Sequence, residues 1–121
     1  MEVSTVHRNG VEIAVVRDQS LLIEDVQSAL DLMATVKYET GSSRIVLNKS
    51  AIAEPFFDLK TKLAGEIMQK FVNYQTAIAI VGDFSIYESK SLKDFIYESN
   101  KGRHIFFLDN EEQAVEKLSR V

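Results

Sequence analysis

One run of residues constrains the fold of this chain more than any other feature. Residues Thr76 to Val81 read Thr-Ala-Ile-Ala-Ile-Val, and Gly82 ends the run. Successive side chains of a strand point to opposite faces of its sheet, so a strand that is apolar at nearly every position is buried on both faces. We therefore predict that Thr76–Val81 lies near the centre of a sheet whose two faces are covered by helices.

The chain is predicted to begin with a β-hairpin. Its arms are Val3–Arg8 and Val11–Val16, and they flank Asn9-Gly10, a dipeptide that favours the positive backbone angles of a type I′ turn. In the second arm, Val11, Ile13 and Val15 alternate with Glu12 and Ala14, which predicts that one of its faces is buried and the other less so. The hairpin should lie at one side of the sheet, because its two strands pair with each other.

Helices and strands alternate after the hairpin. Apolar side chains spaced by three and four residues predict four helices, with stripes from Leu22 to Met33, Leu59 to Phe71, Leu92 to Ile96 and Ala114 to Leu118. The expected start signals are Asp25, Pro55, the capping box Ser91-Leu92-Lys93-Asp94 and the pair Asp109-Asn110. Arg44–Asn48 and His104–Leu108 are the remaining predicted strands.

The resulting order, β-β-α-β-α-β-α-β-α, predicts one α/β domain spanning residues 1–121. Its sheet should be mixed, mostly parallel and five-stranded, with helices packed on it. The 121 residues, 45% of them hydrophobic, are enough to build one core without disulfides.

The composition argues against several classes of protein. No apolar run approaches the roughly 20 residues that cross a bilayer, and the first residues lack the pattern of a secretory signal, so we expect a cytoplasmic protein. The net charge of −4, without a separate basic cluster, argues against nucleic acid and membranes as partners. There is no cysteine, and His7 and His104 are isolated, so the sequence predicts no metal site and no cofactor.

The order of elements resembles that of the STAS domain, the fold of anti-sigma-factor antagonists and of the cytoplasmic tails of sulfate transporters. Locally, Arg44–Asn48 and the stretch from Phe56 to Ile67 look like a strand of that family and the helix start that follows it. The resemblance implies a STAS-like fold and a regulatory module that binds another protein through its second helix and neighbouring loops.

In antagonists of the STAS family, a partner kinase phosphorylates a serine at this helix start. Here Leu59 and Lys60 follow Asp58, and no serine occupies the place. Thr61 is the nearest hydroxyl and is displaced by one position. We therefore predict that the segment from Asp58 to Gly65 is not phosphorylated.

A second resemblance is closer and covers most of the second half of the chain. Four segments look like signatures of a family of small bacterial domains of unknown function: Phe56–Thr61, Ala64–Ile67, Val81–Phe84 and Phe95–Gly102. This resemblance implies a fold and a lineage, and it implies no activity.

Polar residues follow the predicted parallel strands, at the carboxyl edge of the sheet where open α/β folds usually bind ligands and partners. The residues expected there are Asn48, Lys49, Ser50, Asp109 and Asn110. The candidate ligand- or partner-binding residues are Phe56, Phe57, Asp58, Lys60, Thr61, Lys62, Asp83, Ser85 and Tyr87. The two aspartates among them have a simpler interpretation, as the cap of a helix and as part of a turn.

Phe56 and Phe57 precede the second predicted helix in a loop-like segment that contains Pro55. Exposed aromatic rings are favoured anchors of protein interfaces. Rings packed beneath the loop would instead form a small satellite of the core. The sequence leaves both possibilities open.

Three functions fit these observations. The leading hypothesis is a non-catalytic regulatory or protein-interaction module whose partner is another protein. The second is a binder of a small anionic or amphipathic ligand at the carboxyl edge of the sheet. The third is a small hydrolase-type enzyme that uses Asp58 or Asp83 as acid or base, and it ranks last because no catalytic partner residues are visible.

Overall fold

Five strands and four helices follow one another in the predicted order in a computed structural model that describes residues 1–121. The strands are β1 (Glu2–Arg8), β2 (Val11–Arg17), β3 (Arg44–Asn48), β4 (Ala77–Val81) and β5 (Ile105–Leu108). The helices are α1 (Val26–Thr40), α2 (Leu63–Asn73), α3 (Lys90–Asn100) and α4 (Glu111–Leu118). None of the four helices is both long enough and apolar enough to cross a membrane.

The strands form one mixed sheet in the order β1-β2-β3-β4-β5. Only the hairpin pair β1–β2 is antiparallel, and the other three pairs are parallel. The α/β class, the five-stranded sheet and the lateral position of the hairpin are confirmed. β4 is buried and internal, as predicted, although β3 is the middle strand.

The hairpin forms as its turn residues dictate. Asn9 and Gly10 adopt φ values of 53° and 79°, the left-handed conformation that a type I′ turn requires at both positions. The prediction of a single buried face for β2 is wrong, because all four residues from Ile13 to Val16 are buried. β2 lies inside the sheet, between β1 and β3, and apolar side chains pack against both of its faces.

The helices cover the two faces of the sheet unequally. Residues of α1, α2 and α3 pack on one face, around Ile45, Leu47 and Ile80. Only α4 packs on the opposite face, where Val115 and Leu118 join the inward side chains of the three central strands. Helices therefore lie on both faces, as the apolar character of β4 requires.

The helix starts agree with the sequence in two cases and differ in two. Asp25 caps α1 in a reciprocal capping box with Ser28, and Asn110 caps α4. The predicted capping box at Ser91 is wrong, because α3 begins at Lys90 and is capped by Ser89. The predicted start of α2 near Pro55 is also wrong, since α2 begins only at Leu63.

Candidate functional site

The four strands β2 to β5 are mutually parallel, so their carboxyl ends lie along one edge of the sheet. Asn48 at the end of β3 is in register with Val81 at the end of β4. The predicted edge residues that follow these two strands are therefore brought together. Lys49 and Gly82, one residue further on, lie side by side.

Lys49 is the centre of a compact group of side chains on the α1–α3 side of this edge. Its Nζ lies 4.9 Å from the ring centroid of Tyr87 and 5.4 Å from that of Phe57. The same nitrogen lies 3.9 Å from Oε1 of Glu54, and the lysine side chain is only 19% exposed. The Glu54 carboxylate and the two aromatic rings therefore stabilise the positive charge of Lys49 within the protein.

Tyr87 contacts the other three members of this group, Lys49, Glu54 and Phe57. Its hydroxyl donates to the carboxylate of Glu54, 3.1 Å from Oε1, and its ring stacks on Phe57 at 5.2 Å between centroids. Burial raises the pKa of the Tyr87 phenol. The phenol is therefore protonated at neutral pH and serves as a hydrogen-bond donor.

Asp83 and Ser85, two further predicted site residues, form a turn beside Gly82. Oδ1 of Asp83 accepts from the Ser85 hydroxyl at 2.6 Å and from the Ser85 N–H at 2.9 Å. The hydroxyl and N–H bonds from Ser85, with a smaller effect of the positive charge of Lys49, lower the pKa of Asp83. A lowered pKa makes this carboxylate a weak base at neutral pH. Its two bonds to Ser85 are those of an aspartate that holds a turn.

Phe56 and Phe57 are buried, with 1% and 4% of their surface exposed. The possibility that they are exposed interface anchors is therefore wrong. The two rings meet edge to face at 5.0 Å between centroids, within a continuous aromatic cluster formed by Phe56, Phe57, Phe84, Tyr87, Phe95 and Phe107. This cluster fastens the segments that follow β3 and β4 to the core.

The segment from Glu54 to Lys62, which precedes α2, is held by local hydrogen bonds. It consists of two 3-10 turns, Glu54–Phe57 and Leu59–Thr61. Asp58 caps the second turn by accepting from the N–H of Lys60 at 3.1 Å, so it caps this turn and not α2.

Thr61 and Lys62 complete the segment. The hydroxyl of Thr61 lies 2.7 Å from the carbonyl of Pro55 and 2.8 Å from that of Asp58, to which it can donate, and it accepts from the N–H of Leu63. Lys62 has a φ of +66°, which interrupts the helical path immediately before α2. This left-handed residue and the side-chain bonds of the turn explain why α2 starts later than its apolar stripe predicts.

Lys60 and Lys62 are both exposed. Neither ammonium group has a carboxylate within 4 Å or a hydrogen-bond partner in the chain. The structure thus places two free positive charges on a hydrogen-bonded segment beside the aromatic cluster.

An open cleft of about 630 Å³ lies on the α4 side of the same edge. Val15, Val46 and Val81 contribute apolar surface to it, and Arg17 and Glu111 form an ion pair beside them. The other lining residues are Met1, Glu2, Val16, Asp18, Gln19 and Asn48. The sequence did not indicate this cleft, because Arg17 and Glu111 are 94 positions apart and meet only in the folded sheet.

The wall of the cleft is held by polar contacts between Asp18, which follows β2, and Asn48 at the end of β3. The side chain of Asn48 donates to the carbonyl of Asp18 at 2.9 Å and accepts from its N–H at 3.2 Å. The Asp18 carboxylate accepts from the hydroxyl and N–H of Ser20, and it lies 3.3 Å from the amino group of Met1. These contacts, led by the hydroxyl of Ser20, lower the pKa of Asp18 to about 2.

A family model described as Domain of unknown function (DUF4180) matches residues 8–118 of this chain. The chain belongs to this family. The match runs from the end of β1 to the end of α4 and includes all four segments on which the resemblance to a domain of unknown function rests. No curated protein and no solved structure matches the chain. Membership of the DUF4180 family establishes lineage and leaves the function to be inferred from the site.

For this DUF4180 chain, sequence reasoning placed Lys49 at the carboxyl edge but not among the candidate binding residues, and it did not name Glu54. A glycine after a buried strand was the available signal, because it allows a long side chain from the neighbouring strand to lie across it. No group of three or more histidines, aspartates or glutamates has a geometry that could hold a metal ion.

Proposed function

We propose that the chain is a non-catalytic protein-interaction module, and that it docks an acidic surface of another protein through Lys60 and Lys62. The observation that carries this proposal is that both lysines are exposed and unpaired on a segment whose turns are held by local hydrogen bonds. A surface that is ordered before binding loses less conformational entropy when the partner docks.

The charges of the remaining chain support the choice of these two lysines. The net charge is −4, so attraction of an acidic partner requires a local basic site. Most other basic side chains contact carboxylates, carbonyl oxygens or aromatic rings: Arg8, Arg17, Lys37, Arg44, Lys49, Lys90, Lys101, Lys117 and Arg120. Lys60 and Lys62 are two residues apart, whereas the other free basic residues are scattered in the sequence.

The resemblance to the STAS family supports the same surface. The order of elements and the largely parallel sheet fit a STAS-like fold. In that family, partner proteins bind the second helix and its neighbouring loops, which correspond here to α2 and the segment from Glu54 to Lys62. We accordingly extend the proposal: the chain is a regulatory module of bacterial origin that acts in the cytoplasm. This extension rests on fold analogy.

A matched pair of charge reversals tests the proposal. The double variant Lys60→Glu/Lys62→Glu should lose the partners that the parent captures from a cell lysate. The control, Lys93→Glu/Arg103→Glu, changes the net charge by the same amount at two other exposed and unpaired positions, so it should keep them. Both variants should unfold within about 0.5 kcal/mol of the parent, because exposed substitutions seldom change stability more. Equal loss in both variants, or loss in neither, would refute docking through these lysines.

The cleft of about 630 Å³ favours a second function, the binding of a small amphipathic ligand. Apolar surface from three valines can hold a hydrophobic body. Glu2, Asp18 and Glu111 outnumber Arg17 and the Met1 amino group around it, so the charges favour a cationic group over an anionic one.

Native mass spectrometry distinguishes this second function from the first. If the cleft holds a ligand, the purified protein should carry an added small mass. Val81→Phe should lose that mass, because a larger side chain fills part of the cleft. A spectrum that shows only the bare chain would contradict ligand binding and leave the docking proposal in place.

A further inference from the structure

The two edges of the sheet differ in whether their backbone groups are occupied. At the β5 edge, the side chain of Asn100 donates to the carbonyl of Phe107 at 3.1 Å and accepts from its N–H at 2.7 Å. The amide of Asn100 thus takes the place of a neighbouring strand. Another strand could pair with β5 only by breaking both bonds.

The β1 edge is open along its whole length. β1 pairs only with β2. The type I′ turn joins the Arg8 carbonyl to the Val11 N–H, so every second residue of β1 from Arg8 backwards bonds to β2. The residues between them direct their backbone groups away from the sheet: Val3, Thr5 and His7. None of the hydrogen bonds outside the regular helices and strands engages these groups.

β1 also lacks three of the features that protect edge strands, and its charged residues, Glu2 and Arg8, lie only at its two ends. Such edges carry lysine, proline or a β-bulge. The sequence of β1, Glu-Val-Ser-Thr-Val-His-Arg, contains neither lysine nor proline. Its register with β2 runs without a bulge from the pair Glu2–Arg17 to the pair Arg8–Val11. Seven residues of regular strand are therefore available for pairing.

The sequence of β1 is complementary to itself in one antiparallel register. When Thr5 lies opposite Thr5 of a second copy, Val3 lies opposite His7. Glu2 then lies opposite Arg8 at both ends, so opposite charges face each other, in addition to the ion pairs that Glu2 makes with Arg17 and Arg8 makes with Glu112 and Glu116 within each copy. All outward-facing residues pair with one another, which gives about six backbone hydrogen bonds, two in each of three pairs. A shift of register by one pair shortens the overlap and separates the charges.

We propose that the chain forms a two-fold symmetric dimer in which β1 pairs antiparallel with β1 of a second copy. The pairing joins the two sheets into one continuous sheet, and the same seven residues serve both sides of the contact. The interface lies on β1 and does not involve Lys60 or Lys62, so its test is independent of the proposed docking function.

Sedimentation of the parent and of two variants at one position tests the pairing. The N–H of Thr5 points outward, so Thr5→Pro removes an intermolecular donor and leaves the bonds between β1 and β2 in place. Thr5→Val keeps the N–H and a β-branched side chain. The parent and Thr5→Val should therefore form dimers in sedimentation as the concentration is raised into the millimolar range. Thr5→Pro should sediment as a monomer.

Two charge variants keep the test decisive if Thr5→Pro does not fold. Glu2→Arg and Arg8→Glu each place like charges opposite each other in a homodimer, and each should weaken dimerisation at least about tenfold. Arg8→Glu also loses the ion pairs with Glu112 and Glu116 of its own copy, so its free energy of unfolding is measured alongside. An equimolar mixture of the two variants restores opposite charges and should dimerise as the parent does.

Amide hydrogen exchange locates the contact directly. The amides of Val3, Thr5 and His7 should become protected as the protein concentration rises, and only in proteins that dimerise. A parent that is monomeric at every concentration would overturn the proposal. So would a dimer that survives in folded Thr5→Pro, single charge variants that dimerise as the parent does, or a dimer in which these three amides exchange freely.

Discussion

Gly82 lies so close to Lys49 that a Cβ atom on the glycine would stand 2.6 Å from the lysine Cβ and 2.9 Å from its Cδ. The lysine must lie across the glycine to bring Nζ near Glu54, Phe57 and Tyr87. The absence of a side chain at Gly82 is therefore a condition for the group of side chains centred on Lys49.

Gly82→Ala should destabilise the protein by about 1–3 kcal/mol, because the new methyl group overlaps the base of a side chain that cannot simply swing away. The measurement is the free energy of unfolding in urea. Gly65→Ala in α2 is the matched control, since no atom lies within 4 Å of its added Cβ. Alanine is preferred in a helix, so the control should gain about 0.5–1 kcal/mol. A neutral Gly82→Ala would contradict the close packing of Lys49.

Phe57→Ala should cost about 3–5 kcal/mol of unfolding free energy, because it leaves a cavity in the aromatic cluster. Phe57 contacts Phe56, Phe84 and Tyr87. The exposed ring of Tyr97 provides the comparison, and Tyr97→Ala should change stability by about 0.5 kcal/mol at most. A loss of less than about 1 kcal/mol in Phe57→Ala would contradict the packing of Phe57 in the aromatic cluster.

The lowered pKa of Asp18 predicts that part of the folded state's stability is lost in acid. Its pKa is lowered from 3.8 to about 2 in the folded protein. A carboxylate with a lowered folded-state pKa stabilises the protein above its unfolded-state pKa, and this contribution is lost as the pH falls from about 4 to about 2. Asp18→Asn should therefore flatten the decline of the unfolding free energy over this range.

Glu88→Gln is the control for Asp18→Asn, because the Glu88 carboxylate is exposed and makes no ion pair or hydrogen bond. Urea unfolding of the parent and both variants at several pH values between 2 and 5 provides the measurement. Identical slopes in all three proteins would show that Asp18 does not contribute.

Thr61 should remain unphosphorylated when the protein is treated with ATP and a broad set of kinases. Its hydroxyl lies within donating distance of the carbonyls of Pro55 and Asp58 and accepts from the N–H of Leu63, so a phosphate would break the turn that holds the segment. Phosphopeptide mass spectrometry of the region from Asp58 to Gly65 is the measurement. Phosphothreonine at high occupancy would instead favour a switch of the STAS antagonist type.

The elements that the sequence predicted correctly are those set by neighbouring residues. Asn9-Gly10 specified its turn, Asp25 and Asn110 specified helix starts, and the apolar run of β4 specified an internal strand. In each case a short stretch contains both the signal and the groups that satisfy it.

The errors concern features that depend on distant residues or on competing local bonds. Phe56 and Phe57 are buried because Phe107 and Tyr87, far along the chain, pack against them. The late start of α2 follows from the hydrogen bonds of Thr61, which an apolar stripe does not reveal. The cleft and the open edge of β1 exist only once the strands have been placed in order.

Lysine reactivity in the bound and free protein tests the docking proposal most directly. The free chain and the chain with its captured partner are each treated briefly with an acetylating reagent, and every lysine is then quantified by mass spectrometry. We predict that Lys60 and Lys62 lose reactivity in the complex, whereas Lys93 reacts equally in both states. If Lys60 and Lys62 react as fast in the complex as in the free protein, the partner binds elsewhere and the proposed docking surface is wrong.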